Sequence, residues 1–298
     1  MKQLAVIISR SPGQNPQKRE MEEDLFAAIG REPDVVAAIV PHLYDLRETD
    51  AAVAALRSVT GPLVVIAWLY PRAIHWTLDK MGIKGQRGEM QPRSTDADNE
   101  QQKSHANAKN APARTVWSLD FRVNDTATHI GEIQRILRDL RAASPSAGTT
   151  ASFESLSAFS LPPSETPLPR WYPVIDFGRC NDCMECLDFC LFGVYGVDDD
   201  GHVVVESPNN CKRGCPACSR VCPQNAILFP MHRTPAIAGA PGAGMDVQKL
   251  DLSELFGAPS AVQLATAERN AALGGAKQDT KPKDSLDKLM DALDNAKL

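Results

Sequence analysis

The sequence predicts an α/β N-terminal domain, three layers deep around a mainly parallel sheet, followed by a small α+β domain that is rich in cysteine. Three observations predict this. Apolar runs alternate with amphipathic stretches over residues 1–143. The apolar runs are nearly continuous, as in parallel strands covered on both faces. All eight cysteines lie between Cys180 and Cys222, and in a reducing compartment clustered thiols suit metal ligation better than disulfides.

LAVIIS (Leu4–Ser9) reads as the first buried strand. The turn SPGQNP leads into a helix with Met21, Leu25, Ala28 and Ile29 on one face, stopped by Gly30. VVAAIV (Val35–Val40) is the second strand, and Thr49 or Asp50 caps a short helix carrying Val53, Leu56 and Val59. LVVIAWL (Leu63–Leu69) is the third strand. Pro71 suits a helix first turn, ahead of Ile74, Leu78 and Met81 at helical spacing. Residues 84–113 contain almost nothing apolar and read as a mobile loop. TVWSLDF (Thr115–Phe121) resumes as a strand. A helix capped by Asn124 or Asp125 follows, with Ile130, Ile133, Ile136, Leu137 and Leu140 inward. Residues 144–169, rich in Ser, Thr and Pro, read as a linker. The cysteine domain spans 170–233. Residues 234–298 read as a flexible tail with amphipathic helices near 261–273 and 285–293.

The composition, 43% hydrophobic and 23% charged with a net charge of −5, carries no basic field to draw nucleic acid or anionic lipid. The opening MKQLAVIISR has too short an apolar run for a signal peptide, and Leu63–Leu69 is far too short to span a membrane. A cytoplasmic location is the expectation.

The first cysteine group has the spacing C-x2-C-x2-C-x3-C (Cys180, Cys183, Cys186, Cys190). The second is C-x3-C-x2-C-x3-C followed by Pro (Cys211, Cys215, Cys218, Cys222, Pro223). Three cysteines on one tight loop can reach three corners of an iron–sulfur cubane, and the fourth ligand must then come from elsewhere in the chain. Zinc is the rival. Structural zinc sites use C-x2-C knuckles in separated pairs, which do not need the third and fourth cysteine of each group. Disulfides between such close neighbours are disfavoured by geometry.

The segment DFGRCNDCMECLDFC … NNCKRGCPACSRVCPQNAILF resembles the bacterial-type two-[4Fe-4S] ferredoxin family over about sixty residues. The resemblance implies two [4Fe-4S] clusters, one on Cys180, Cys183, Cys186 and Cys222 and the other on Cys211, Cys215, Cys218 and Cys190. It also implies a compact ferredoxin-like unit with a pseudo-two-fold axis, in which WYPVID and AILFP are paired outer strands. Three departures stand out. Leu191 replaces the usual Pro, three residues instead of two separate Cys211 from Cys215, and the insert VYGVDDDGHVVVE reads as a hairpin turning at Asp200-Gly201. Gly214 can absorb the altered turn. The implied function is single-electron transfer to or from a redox enzyme. Eight acidic and six basic side chains between Arg170 and Arg233, together with the charge of the clusters, imply a redox protein partner with a basic surface.

In a parallel sheet, ligands sit at the carboxyl ends of the strands. The candidates there are Ser9, Ser11, Gly13 and Asn15, then His42, then Tyr70 and Arg72. The turn SRSPGQNP resembles a flavodoxin phosphate loop and makes flavin a candidate cofactor, although it lacks that family's Thr-rich pattern and Pro16 removes a donor. Arg72 reads as a solvated surface arginine, His42 and His75 as packing or surface residues, and His202 as exposed in a turn. Two alternatives to the electron carrier remain. One is an oxidoreductase subunit whose first domain binds flavin or substrate, and the other is a zinc-stapled interaction module.

Overall fold

The computed structural model describes residues 4–90, 114–143, 167–241 and 259. The described residues up to Pro241 belong to one compact unit. The predicted C-terminal helices, the linker residues 144–166 and residues 91–113 of the expected loop lie outside the described residues.

The N-terminal part is a five-stranded parallel sheet formed by β1 (Leu4–Ser9), β2 (Val35–Val40), β3 (Leu63–Ala67), β4 (Gln86–Arg87) and β5 (Thr115–Asp120), in the order β2-β1-β3-β5-β4. Successive residues of β1 face opposite sides and both sides are covered. Ala5 and Ile7 pack with Val53 and Leu56 of α2 (Ala51–Ser58) and Ile74 and Leu78 of α3 (Pro71–Lys80). Leu4, Val6 and Ile8 pack with Leu25 and Ile29 of α1 (Pro16–Ile29) and Ile133, Ile136 and Leu137 of α4 (Thr126–Ala143). Full burial on both faces is what made these strands uniformly apolar. The helix starts follow the expected chemistry. The Asn15 side chain accepts from the Lys18 amide at 3.2 Å, and that of Asp125 accepts from the Thr128 amide at 2.8 Å.

Strand β4 lies inside the stretch read as a loop. Its two residues are polar and exposed, so only backbone pairing with β5 marks it.

In the cysteine region, β6 (Val174–Ile175) pairs antiparallel with β9 (Ile227–Leu228), as the resemblance implied for WYPVID and AILFP. The insert forms the hairpin of β7 (Tyr195–Val197) and β8 (Val203–Val205), with Gly201 at φ +85° in its turn. Short helices α5 (Glu185–Phe189) and α6 (Ala217–Val221) follow the tight cysteine loops. The stretch after Arg233, expected to be flexible from its Ala and Gly content, starts with a helical turn, α7 (Pro235–Ala238). There Ile237 and Ala238 are buried and the Phe229 amide donates to the Ile237 carbonyl at 2.9 Å.

The cysteine region shares a core with the sheet domain. Tyr172, Val174 and Leu228 belong to the apolar cluster under α2 and α3. Full burial of Val174 and Leu228 contributes about 1.5–3 kcal/mol each. Arg72 corrects the sequence reading. It is 8% exposed, pairs with Asp176 and donates to the Asn225 carbonyl at 2.6 Å, so it joins the sheet domain to both cysteine loops.

Candidate metal centre

The first cysteine loop hangs from Asp176. Its carbonyl accepts from the Arg179 and Cys180 amides at 3.0 and 2.9 Å, and its side chain accepts from the Gly178 amide at 2.9 Å. The carboxylate keeps Arg72 as its counter-ion. Beyond Cys180, both neighbours of Cys183 take left-handed backbone, Asp182 at φ 54° and Met184 at φ 64°. Positive φ at non-glycine residues costs free energy and persists where the surroundings demand it. Asp182 is held from outside the loop. His202 Nδ1 lies 2.8 Å from its carboxylate, and the Val203 amide donates to it at 3.1 Å. His202 is thus tied to the first cysteine loop rather than merely exposed, a contact hidden by a separation of 20 positions in the chain.

The second loop turns at Gly214, with φ +80° immediately before Cys215. The extra residue between its first two cysteines is therefore taken up by glycine's freedom. Trp171 stacks on Phe229 and donates its Nε1–H to the Cys215 carbonyl at 3.1 Å, fixing this loop to the segment that leads into β6.

None of the eight cysteines forms a disulfide, and Cys186, Cys218 and Cys222 are buried. Burial pushes Cys180 and Cys211 up to about 11 and Cys218 up to about 12; Cys186 moves further in the same direction. Other thiols add to these shifts, and they cross between the groups. Cys222 of the second group acts on Cys180, Cys183 and Cys186. Cys190 of the first acts on Cys211 and Cys218. A metal core held by these thiols would deprotonate them outright. The Ala226 amide already donates to the Cys222 sulfur at 3.3 Å, the kind of bond that tunes a cluster. Among the described residues no three Cys, His, Asp or Glu side chains converge on a single-ion site. Cubane thiolates do not need to, since each takes its own iron.

The candidates of the sheet domain are partly engaged within the fold; among the described residues the Ser11 hydroxyl and the His42 ring nitrogens have no hydrogen-bond partner of ordinary geometry. The Ser9 hydroxyl accepts from the Leu43 amide at 2.8 Å. The Ser11 amide donates at 2.6 Å to the buried carboxylate of Glu22, which also takes Trp68 Nε1–H at 2.8 Å and Arg19 at 2.8 Å. Arg19 also donates to the Gly13 carbonyl, while Asn15 caps α1. His42 is buried with Nδ1 3.2 Å from Asp45, and the Arg122 guanidinium lies over the Tyr70 ring. Glu22 was missed by sequence reasoning: nothing in the helical pattern marks a carboxylate that will be wholly buried. A cleft of about 270 Å3 opens nearby, lined by Pro12, Asp45, Arg170, Trp171, Arg213 and Met231.

Comparison with known proteins bears on the cysteine region. The chain is 47% identical over 66 residues to an uncharacterized ferredoxin of Methanocaldococcus jannaschii, covering 22% of this chain and 44% of that protein. It is 36% identical over 55 residues to the pyruvate synthase subunit PorD of the same organism, covering 18% of this chain and 62% of the subunit. The chain thus spans about half the length of the curated relatives it matches. No protein-family model matches it, and no solved structure does. Over about a fifth of its length the chain is similar to a ferredoxin, which supports an iron–sulfur electron-transfer role.

Proposed function

We propose that this protein carries single electrons through two [4Fe-4S] clusters, one on Cys180, Cys183, Cys186 and Cys222 and the other on Cys211, Cys215, Cys218 and Cys190. The observation that carries the reading is the exchange: Cys222 of the second group acts on Cys180, Cys183 and Cys186 of the first, and Cys190 of the first acts on Cys211 and Cys218 of the second. This is the ligand pattern of two-cluster ferredoxins. When bound, the clusters supply the one-electron chemistry. The chain's own residues hold the thiols in place: Asp176 and Arg72 anchor the first loop, and Trp171 and Gly214 shape the second. Clusters held by exchanged ligands are neighbours, so electrons can pass between them.

The sheet domain, whose four long strands run in the flavodoxin-like order 2-1-3 followed by the next strand, buttresses the cysteine region through the shared core. The partner is a redox enzyme, in keeping with the similarity to a pyruvate synthase subunit, and the acidic residues around the clusters favour a basic docking surface on it. Anaerobic reduction followed by EPR tests the reading. Two interacting reduced cubanes should appear; a spectrum without any iron–sulfur signal ends it.

A second reading is favoured by the cleft between the β1 and β2 loops and the second cysteine loop, which brings Arg170 and Arg213 together beside Asp45. There the protein would be an oxidoreductase subunit binding flavin or a small anionic substrate. Flavin absorbance in purified protein, or a substrate-dependent change in cluster reduction, supports it; the absence of both removes it.

A further inference from the structure

The two halves of the cysteine region follow the same path after their last cysteines. Gly193 and Asn225, each three residues on, both take left-handed backbone, at φ 62° and 49°. Val194 and Ala226 are both buried, and the next residue in each half opens a strand. There the halves diverge. The first half places Tyr195 where the second places Ile227.

Tyr195 is 8% exposed and packs in one apolar cluster with Cys186, Cys218 and Cys222. Its hydroxyl is sealed from solvent and has no hydrogen-bond partner of ordinary geometry among the described residues. A buried hydroxyl left in this state is destabilising. The nearest claims on it come from sulfur. The Cys218 thiol comes within side-chain reach of the hydroxyl, with Cys186 and Cys190 next around it. Ile227 offers the opposite half no donor.

We propose that Tyr195 donates its O–H to the Cys218 thiolate once clusters are bound, making the cluster of Cys190, Cys211, Cys215 and Cys218 the more easily reduced of the two. This rests on the two-cluster reading above. A reduced cluster places more negative charge on its sulfur ligands than an oxidised one, so a donor at sulfur favours the reduced state. The step is a one-electron reduction by the redox partner or a chemical titrant. No bond breaks, and the proton stays on the tyrosine oxygen. Electrons entering the pair therefore settle first on this cluster.

EPR-monitored redox titration of the anaerobic full chain tests the assignment in three proteins: the wild type, Tyr195→Phe, and the protein with 3-fluorotyrosine at 195, a stronger donor of nearly the same size. Tyr195→Phe should lower the higher of the two potentials by about tenfold in the reduction equilibrium, 59 mV for one electron, and leave the lower one in place. The fluorinated side chain should raise the same potential. If both clusters are present and the higher potential is unmoved in the two variants, or only the lower one moves, the inference is overturned while the two-cluster reading stands. If the wild type holds no iron, the reading itself falls and the inference with it. Should Tyr195→Phe fail to assemble clusters, the fluorinated protein decides alone.

Discussion

Tyr44 and Tyr172 satisfy one another's backbone across a stacked ring pair. The Tyr44 hydroxyl donates to the Tyr172 carbonyl at 2.5 Å and accepts from the Tyr172 amide at 2.7 Å, while the Tyr172 hydroxyl donates to the Tyr44 carbonyl at 3.0 Å. The ring centroids lie 4.4 Å apart, and both side chains are buried. Tyr44 follows the second strand of the sheet domain, and Tyr172 opens the cysteine region, so the pair locks one to the other.

Tyr44→Phe removes the partner of two buried backbone groups, whereas Tyr172→Phe removes the partner of one. The first should cost about 2–4 kcal/mol and the second about 1–2 kcal/mol. Guanidinium unfolding of the anaerobic protein, followed by far-ultraviolet circular dichroism, gives the order. Equal effects would contradict the reciprocal geometry.

Arg72 and Asp176 make a second junction, both side chains under a tenth exposed. Removing one member strands the other's charge, so Arg72→Met should cost about 3–5 kcal/mol. Because Asp176 also holds the Cys180 loop, the variant should lose the cluster of Cys180, Cys183 and Cys186 first. The double change Arg72→Met with Asp176→Leu leaves no stranded charge and should recover part of the stability. A double variant less stable than the single one would show that the ion pair is not what matters here.

His75 provides a pH signature. Burial, helped by the charge of Arg87 and opposed by Asp176, lowers its value to about 4. A histidine with a folded value below its unfolded value of about 6.5 must be neutral to stay buried. Stability is therefore full above about pH 6.5 and declines as pH falls toward 4, by about 2 kcal/mol at pH 5. His75→Phe should flatten this decline without changing the profile above pH 7. An unchanged acid slope in the variant would assign the loss to other groups.

Much of this architecture was legible in the sequence for identifiable reasons. Strands β1, β2, β3 and β5 were readable because burial on both faces forces apolar residues at every position. The two cysteine groups stood out because their spacing is local. Interactions between distant residues were not. Arg72 looked like a surface arginine because Asp176 lies 104 residues away, and β4 carries only exposed Gln86 and Arg87. Glu22 sits in an otherwise ordinary polar stretch of α1, and its role appears only when Trp68 and Ser11 close over it. Tyr195 had a findable signal: aligning the residues after Cys190 with those after Cys222 sets a tyrosine against an isoleucine.

The exchange of ligands separates cleanly by mutation. Cys222→Ser should damage the cluster of Cys180, Cys183 and Cys186, and Cys190→Ser the cluster of Cys211, Cys215 and Cys218, each following the thiol fields across the groups. Mössbauer spectroscopy of the two iron-57 proteins would report the surviving cluster. Damage confined to the group that contains the mutation would refute the exchange.

The most direct measurement is the iron, acid-labile sulfide and zinc content of protein purified without oxygen. Two cubanes predict about eight iron and about eight sulfide per chain. About two zinc ions with no sulfide would contradict the account and leave a stapled interaction module in its place.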